Sequence, residues 1–142
     1  MQVGFAILQD RVDDALPPDM EDMIERLHSL NSKYRDTLQS TALQYDVCHT
    51  AIEKLQSCWQ RKIYVLEWLN DLDPAFLADL QEGNVFVKLI ITFWALSMCT
   101  LDDVWWVSGM GRKIVMLAIG SIDTSDHEVH ALLQTARSYA GV

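Results

Sequence analysis

The chain has 142 residues, of which 50% are hydrophobic, and a formal net charge of −9 at pH 7. This length fits a single domain, residues 1–142, with enough apolar side chains to build a core. The negative charge opposes attraction to phosphate backbones, so we expect no direct nucleic-acid binding by this chain. Cys48, Cys58 and Cys99 are widely spaced without a Cys-x-x-Cys pair, which argues against a cysteine zinc site and a disulfide framework.

The sequence carries no evident targeting or membrane segment. The N-terminus, MQVGFAILQDRVDD, has no basic start and only a brief apolar run, unlike a secretory signal. The most hydrophobic segment, Val85 to Cys99, contains Lys88 and is shorter than the roughly 20 apolar residues that span a bilayer. We therefore expect a soluble intracellular protein, cytoplasmic or nuclear, with no membrane span.

Helical spacing of apolar residues dominates the first half of the chain. After a short apolar N-terminal segment, Pro17-Pro18 interrupt the chain and Asp19 opens a helix. Asn31 and Ser32 are expected to end that helix and to cap the next one. Apolar residues then recur at steps of three and four, which predicts one long amphipathic helix from Tyr34 to Trp59.

The middle of the chain contains the most hydrophobic predicted helix. Asp73-Pro74, with Asp as N-cap and Pro at the first helical position, starts a short helix that ends at Gly83. Asn84 caps the following helix, Val85 to Cys99, which is apolar on almost every face and must therefore be covered by protein. We expect this central helix to pack against the long helix before it.

The end of the chain carries the signals of a last helix. Ser125 and Glu128 have the spacing of a capping box, and the helix is expected to run towards Tyr139 before Gly141. Strand-like alternation of apolar and polar residues is absent. The predicted fold class is all-α, a compact domain of about six helices around the central one.

The segment LDDVWWVSGMGR, Leu101 to Arg112, combines carboxylates, tryptophans and glycines. Asp102-Asp103 lack the additional carboxylates that an aspartate-rich diphosphate or metal site requires. Gly109 and Gly111 do not lie between a strand and a helix, as a phosphate-binding loop requires. The interpretation that explains the carboxylates best is a capped helix start that complements the helix dipole.

In that interpretation Asp102 is the N-cap, and the helix places Trp105, Trp106 and Met110 at packing positions. The glycines need another reason, because each costs up to about 1 kcal/mol inside a helix relative to alanine. Gly109 and Gly111 would let another helix, or a flat hydrophobic ligand, lie against the backbone.

Histidines do not form a recognisable metal or catalytic motif. His127 and His130 have a chelating spacing near Glu128, but no third ligand converges in sequence, so we predict no metal site. His28 and His49 have no local nucleophile pattern that would indicate a catalytic triad. No cofactor is expected.

The order of elements from Tyr34 onward resembles the C-terminal regulatory domain of fungal zinc-cluster transcription factors of the sterol uptake control type. That family has a similar "W…P-x-F-L" segment, an apolar helix and a terminal "WW-x-x-G-W-G" segment. The matching residues here are Trp68-Leu69, Asp73-Pro74-Ala75-Phe76-Leu77, Ile90 to Leu96 and Trp105 to Arg112. Met110 stands where the family tends to have an aromatic residue, and no cysteine-rich zinc cluster precedes these segments.

The resemblance implies an all-helical domain with a buried hydrophobic pocket, which holds a sterol in the sterol-responsive members. Carried over by position, the ligand-facing residues would be Phe86, Phe93, Trp94, Met98, Trp105, Trp106 and Met110. The first functional hypothesis is therefore the binding of a sterol, a terpenoid or a similar hydrophobic small molecule by a regulatory-type domain.

The alternative hypothesis is a stand-alone, cofactor-free cyclase or isomerase of fungal secondary metabolism that uses the same pocket. A shaped pocket can accelerate such a reaction by proximity and orientation alone. Polar residues that could orient or polarise a substrate are Tyr45, Thr92, Ser108 and Asp102. We also expect a two-fold homodimer, because a partial domain would leave apolar helix faces uncovered.

Overall fold

The structure is a computed structural model, and it describes residues 18–61, 63–101 and 108–141. The described residues form seven α-helices and one short 3₁₀ helix, with no strand among them, so the predicted all-α class is confirmed. The α-helices are α1 (Pro18–Asp36), α2 (Ala42–Gln60), α3 (Ile63–Glu67), α4 (Pro74–Gln81), α5 (Val85–Cys99), α6 (Met110–Ser121) and α7 (His127–Ala140), and the 3₁₀ helix spans Trp68–Asp71. The short helix α3 raises the count above the predicted six.

Helix α5 is the centre of the fold and has the predicted bounds. The Asn84 side chain caps it by accepting a hydrogen bond from Val87 N at 3.1 Å. The helix packs against α2, α6 and α7, and its contact with α2 confirms the predicted pairing. Among the described residues no one helix is both long and apolar enough to cross a membrane. Together α4 and α5 meet those criteria, but they are bent by 109°.

Stacked aromatic rings hold the segment between α2 and α5 in place. The Trp94 ring stacks on Trp68 with centroids 5.5 Å apart, and Trp68 meets Phe76 edge-on at 5.9 Å. The two indole N–H groups donate to the carbonyl oxygens of Val65 and Ala51, at 2.6 Å and 3.2 Å. Because buried indole N–H groups need an acceptor, these bonds fix α3 and the 3₁₀ helix against the core.

The predicted helix from Tyr34 to Trp59 is wrong at its start. Helix α1 continues through Asn31 and Ser32 to its last residue, and α2 begins after a turn. Thr41 and Gln44 form a capping box, in which Gln44 N donates to Thr41 Oγ1 at 3.1 Å and Thr41 N donates to Gln44 Oε1 at 2.9 Å. In a continuous helix these two N–H groups would donate to backbone carbonyl oxygens four residues earlier. Here they donate to side chains of the capping box, so the helix is interrupted at this point.

The turn after α1 is a Schellman motif with a leucine in the left-handed position. Gln39 N donates to Tyr34 O at 2.8 Å, and Leu38 N donates to Arg35 O at 3.1 Å. Leu38 has φ +58° and its side chain is 90% exposed. A left-handed backbone costs an L-residue about 1–2 kcal/mol. The other positive-φ residues of the described chain are Gly83, Gly109 and Gly141.

Helix α6 begins later than predicted. Its N-cap is Gly109, which has φ +78°, so this glycine precedes the helix instead of lying inside it. The physical reason for a glycine there is therefore its backbone conformation. The predicted N-cap, Asp102, lies outside the described residues.

Helix α7 is capped one residue later than predicted. Asp126 is the N-cap, and its Oδ1 atom accepts a hydrogen bond from Glu128 N at 2.9 Å, so the proposed role of Ser125 is wrong. The end of the helix agrees with the prediction, since Gly141 follows it in the left-handed conformation at φ +71°.

Gly111 is where α6 approaches the backbone of α5. A Cβ atom at this position would lie 2.6 Å from Ala95 O and 2.7 Å from Cys99 N. Both neighbours are backbone atoms of α5 and cannot move aside as a flexible side chain could. The prediction that this glycine lets another helix lie against the backbone is therefore confirmed.

Replacing Gly111 with alanine should lower the free energy of unfolding by about 1–3 kcal/mol, because the added methyl group overpacks the α5–α6 contact. Gly120, in the same helix, is the matched control, since nothing lies within 4 Å of its Cβ position. Gly120→Ala should be neutral or stabilising by up to about 1 kcal/mol. Urea denaturation followed by circular dichroism measures both. Equal effects of the two substitutions would contradict the described packing.

Candidate ligand-binding cleft

A cleft of about 720 Å³ lies where the end of α1 meets the starts of α2, α5 and α7. Small-molecule sites in proteins typically measure about 300–1,000 Å³. Four elements line the cleft together with the turn between α1 and α2. The lining residues are Asn31, Lys33, Tyr34, Gln39, Ser40, Gln44, Cys48, Asn84, Val85, Phe86 and Thr124 to Glu128.

The cleft lining includes an apolar floor, formed by Val85, Phe86 and Cys48. Phe86, in the first turn of α5, is 6% exposed, and its ring meets the Tyr34 ring edge-on with centroids 5.5 Å apart. Val85 is half-buried beside it, and Cys48 on α2 is buried. The start of the central helix therefore provides a hydrophobic floor, whose position is fixed by the packing of α5.

A polar cluster joins α1 to α7 along one side of the cleft. The Tyr34 hydroxyl donates to Asp126 Oδ2 at 3.1 Å. Lys33 Nζ lies 3.6 Å from the same oxygen and 3.6 Å from Glu128 Oε1. Because Asp126 also caps α7, one carboxylate ties the helix start to the end of α1.

Both titratable partners of this hydrogen bond have shifted pKa values. Burial raises the pKa of Tyr34 well above its usual range, and the Asp126 carboxylate raises it further. Burial acts to raise the pKa of Asp126 as well, but hydrogen bonds from Glu128 N and Tyr34, together with Lys33, outweigh it and the pKa is lowered. At neutral pH the phenol therefore stays protonated and the carboxylate ionised.

The cysteine in the cleft floor is a packing thiol. Burial raises the pKa of Cys48 to about 12, and the Asp79 carboxylate acts in the same direction. Because the thiolate is the reactive form, Cys48 is a poor nucleophile at neutral pH.

Ser40 has an unsatisfied hydroxyl group in the cleft wall. Its Oγ atom is buried and has no hydrogen-bond partner within the part of the chain that the structure describes. A buried polar group without a partner costs about 1–3 kcal/mol, and such groups in native proteins require an explanation.

The ligand-facing residues predicted from the resemblance occupy different environments. Phe86 lines the cleft. Phe93, Trp94 and Met98 are 1%, 4% and 3% exposed and belong to the core around α5, whereas Met110 is 44% exposed at the start of α6. Trp105 and Trp106 lie outside the described residues.

The polar candidates that the structure describes, Tyr45, Thr92 and Ser108, do not line the cleft. The Tyr45 ring stacks on His49 at a centroid distance of 6.0 Å. Thr92 is buried in α5, where its hydroxyl donates to the carbonyl four residues earlier at 2.8 Å. Ser108 is exposed in the turn before α6, and Asp102 lies outside the described residues.

The histidines make local contacts. His49 Nε2 lies 2.7 Å from Glu53 Oε1, and its ring centroid lies 4.9 Å from that of His28. His130 Nε2 lies 2.6 Å from Thr124 O. Within residues 18–61, 63–101 and 108–141, no group of three or more His, Cys, Asp or Glu side chains could hold a metal ion.

Sequence reasoning did not single out Tyr34, Ser40 or Asp126 as site residues. Tyr34 fitted the apolar spacing of the predicted long helix and was assigned to it. A local sequence signal indicates that α2 begins only after Tyr34, because Thr41-x-x-Gln44 has the spacing of a capping box.

Comparisons with protein families, with curated proteins and with solved structures found no match. The resemblance to the regulatory domain of sterol uptake control factors therefore stays a prediction.

Replacing Tyr34 with phenylalanine should lower the free energy of unfolding at neutral pH by about 1.5 kcal/mol, the low end for a hydrogen bond to a charged group. Because the pKa of Asp126 is lowered in the folded protein, this carboxylate contributes its full stabilisation above the unfolded-state pKa of about 3.9. That stabilisation is lost as the pH falls through the folded-state pKa. The deficit of the variant should therefore shrink below about pH 4.

Urea denaturation between neutral and acidic pH measures this difference. Tyr64→Phe is the matched control, since this tyrosine lies exposed on α3 and should show no such pH dependence. A Tyr34→Phe deficit that stays constant with pH would contradict the role assigned to Asp126.

Proposed function

We propose that this protein binds an amphipathic small molecule of the sterol or terpenoid class in the cleft between α1, α2, α5 and α7. The observation that carries the proposal is an apolar floor and a polar wall within one cleft of about 720 Å³. An apolar ligand body placed on Phe86 and Cys48 would be removed from water, while the polar wall would fix its orientation.

The charges around the cleft favour a neutral head group. Asp126 and Glu128 are acidic, and Lys33 lies within 3.6 Å of both. Lys33, the one lysine of this cluster, is already paired with these carboxylates. An anionic head group would therefore be repelled by Asp126 and Glu128 and would find no unpaired cation in the cluster. An alcohol avoids this repulsion and can still form hydrogen bonds.

The alternative of a cofactor-free cyclase or isomerase is tested on the same cleft. An efficient general acid or base has a pKa near the working pH, whereas the pKa values of Tyr34 and Cys48 are raised far above it. These shifts make Tyr34 and Cys48 poorly suited to acid–base catalysis, so a reaction in this cleft would depend on proximity and orientation. Incubation with terpenoid and polyketide precursors, followed by mass and chirality analysis, would support catalysis if products form faster than without protein.

We further propose that the protein associates with a second copy of itself through α6. Met116 and Leu117 on this helix are 57% and 75% exposed, and a two-fold contact would remove both from water. Sedimentation at micromolar concentration should show a dimer that Leu117→Glu dissociates. A monomer under these conditions would contradict this proposal without affecting the cleft.

Reducing the volume of the cleft should weaken binding. Val85→Trp places a large ring on the cleft floor, and we expect the dissociation constants for farnesol and ergosterol to rise at least about tenfold, equivalent to a loss of about 1.4 kcal/mol. Equilibrium dialysis measures the affinity, and the ligand-induced rise in melting temperature gives a second readout.

Gln134→Trp is the matched control, because it adds the same side chain at an exposed position further along α7 and should leave binding intact. Unchanged affinity of the Val85→Trp variant would exclude the cleft as the site. Failure of the unmodified protein to bind either probe would contradict the proposed ligand class.

A further inference from the structure

We infer that Asn31, on α1, makes the cleft selective for alcohols, with its side-chain carbonyl oxygen accepting a hydrogen bond from the hydroxyl group of the ligand. This inference rests on the proposed function and names the polar contact by which the cleft would distinguish one terpenoid from another. It is carried by the position of Asn31, by the orientation of its amide group and by the access that its Oδ1 atom retains.

Asn31 is a polar residue on the apolar face of α1. Ile24 and Leu27 precede it at helical spacing, and both are buried. Asn31 is itself only 2% exposed, and it lines the cleft. A buried amide group costs free energy unless its hydrogen bonds are made, and a leucine at the same position would avoid that cost. A polar residue on this face therefore requires a reason.

The other two buried polar side chains of the described residues bond within their own helix. The hydroxyl groups of Thr92 and Ser97, both in α5, donate to carbonyl oxygens four and three residues earlier, at 2.8 Å and 2.5 Å. Asn31 instead reaches another helix, because its Nδ2 atom donates to Tyr45 O on α2 at 3.1 Å.

The backbone of α2 does not need the hydrogen bond from Asn31. Tyr45 lies inside this helix, where its carbonyl oxygen accepts a hydrogen bond from the N–H group four residues later. The bond therefore satisfies one end of the asparagine amide and leaves the α2 backbone paired whether it is present or not. Its consequence is to fix the orientation of the amide group.

That orientation leaves an acceptor free. A carbonyl oxygen can only accept, so Asn31 turns its NH₂ group towards Tyr45 O and holds Oδ1 on the other side of the amide. Asn31 Oδ1 has no hydrogen-bond partner among the described residues. The one side-chain nitrogen or oxygen of those residues that is both fully covered and unpartnered is Ser40 Oγ.

Asn31 Oδ1 is therefore accessible as well as unpartnered. Because Asn31 is almost completely buried and lines the cleft, the access to this oxygen comes from the cleft. A ligand hydroxyl group has the size of a water molecule and can occupy the same place.

An acceptor in this position discriminates between alcohols and ethers. Asn31 Oδ1 offers lone pairs and no proton, so it binds a ligand group that can donate. A ligand without such a group would displace water from this oxygen and return no hydrogen bond, which weakens its binding. The hydroxyl group, and not the ligand oxygen alone, is thus the feature that the cleft selects.

The experiment compares farnesol with farnesyl methyl ether, which has the same apolar body and an oxygen but no O–H group. The unmodified protein should bind farnesol about tenfold more tightly, the effect of one hydrogen bond. Asn31→Leu has a side chain of similar size without an acceptor. Its affinity for farnesol should fall about tenfold, its affinity for the ether should be unchanged or higher, and the preference should disappear. Equilibrium dialysis measures all four dissociation constants.

Ser97→Ala is the matched control, because it also removes a buried polar group but lies outside the cleft lining. It should keep the tenfold preference. The melting temperature of free Asn31→Leu should not fall below that of the unmodified protein, since Tyr45 O keeps its partner within α2. A second measurement needs no variant: the side-chain amide signals of Asn31 in nuclear magnetic resonance spectra should shift with farnesol more than with the ether.

The outcomes separate this inference from the proposed function. Equal binding of both probes by the unmodified protein, or an equal loss of both affinities in Asn31→Leu, would show that Asn31 only shapes the cleft. A preference for farnesol that survives in Asn31→Leu would assign the hydroxyl group to another acceptor, such as Asp126 or Glu128. Each of these results overturns the inference and leaves the cleft as a binding site, whereas binding of neither probe would contradict the proposed terpenoid ligand itself.

Discussion

The burial of α5 on nearly every face is the constraint on which the rest of the structure depends. A helix that is apolar on nearly every face must be covered by neighbouring elements, and here α2, α6 and α7 provide that cover. Gly111 lets α6 approach to backbone contact, and Trp94 bonds the helix to α3. Because α5 is fixed in this way, its first turn holds Val85 and Phe86 as a rigid floor for the cleft.

The turn between α1 and α2 contains two energetically unfavourable features. The residues around α5 form the buried core, whereas this turn retains a buried hydroxyl without a partner among the described residues and a leucine with a left-handed backbone. Both features disfavour the free protein, and both lie in the same turn.

The sequence predicts those elements of the fold that local signals specify. Asn84 and the apolar run after it define α5, and Asp73-Pro74 defines the start of α4. The break before α2 was not predicted, because Tyr34 and Leu38 continue the apolar spacing across it. Local sequence signals could not predict the cleft, because its hydrogen bond from Tyr34 to Asp126 joins residues 92 positions apart.

The most direct test of the proposed binding site is a titration of the isotopically labelled protein with farnesol, followed by the amide resonances in two-dimensional nuclear magnetic resonance spectra. Binding in the cleft should give saturable shifts centred on the turn at residues 37–41, the first turn of α5 and the start of α7. Saturable shifts centred instead on Phe93 and Met98 in the core, or an absence of saturable shifts, would contradict the proposed site.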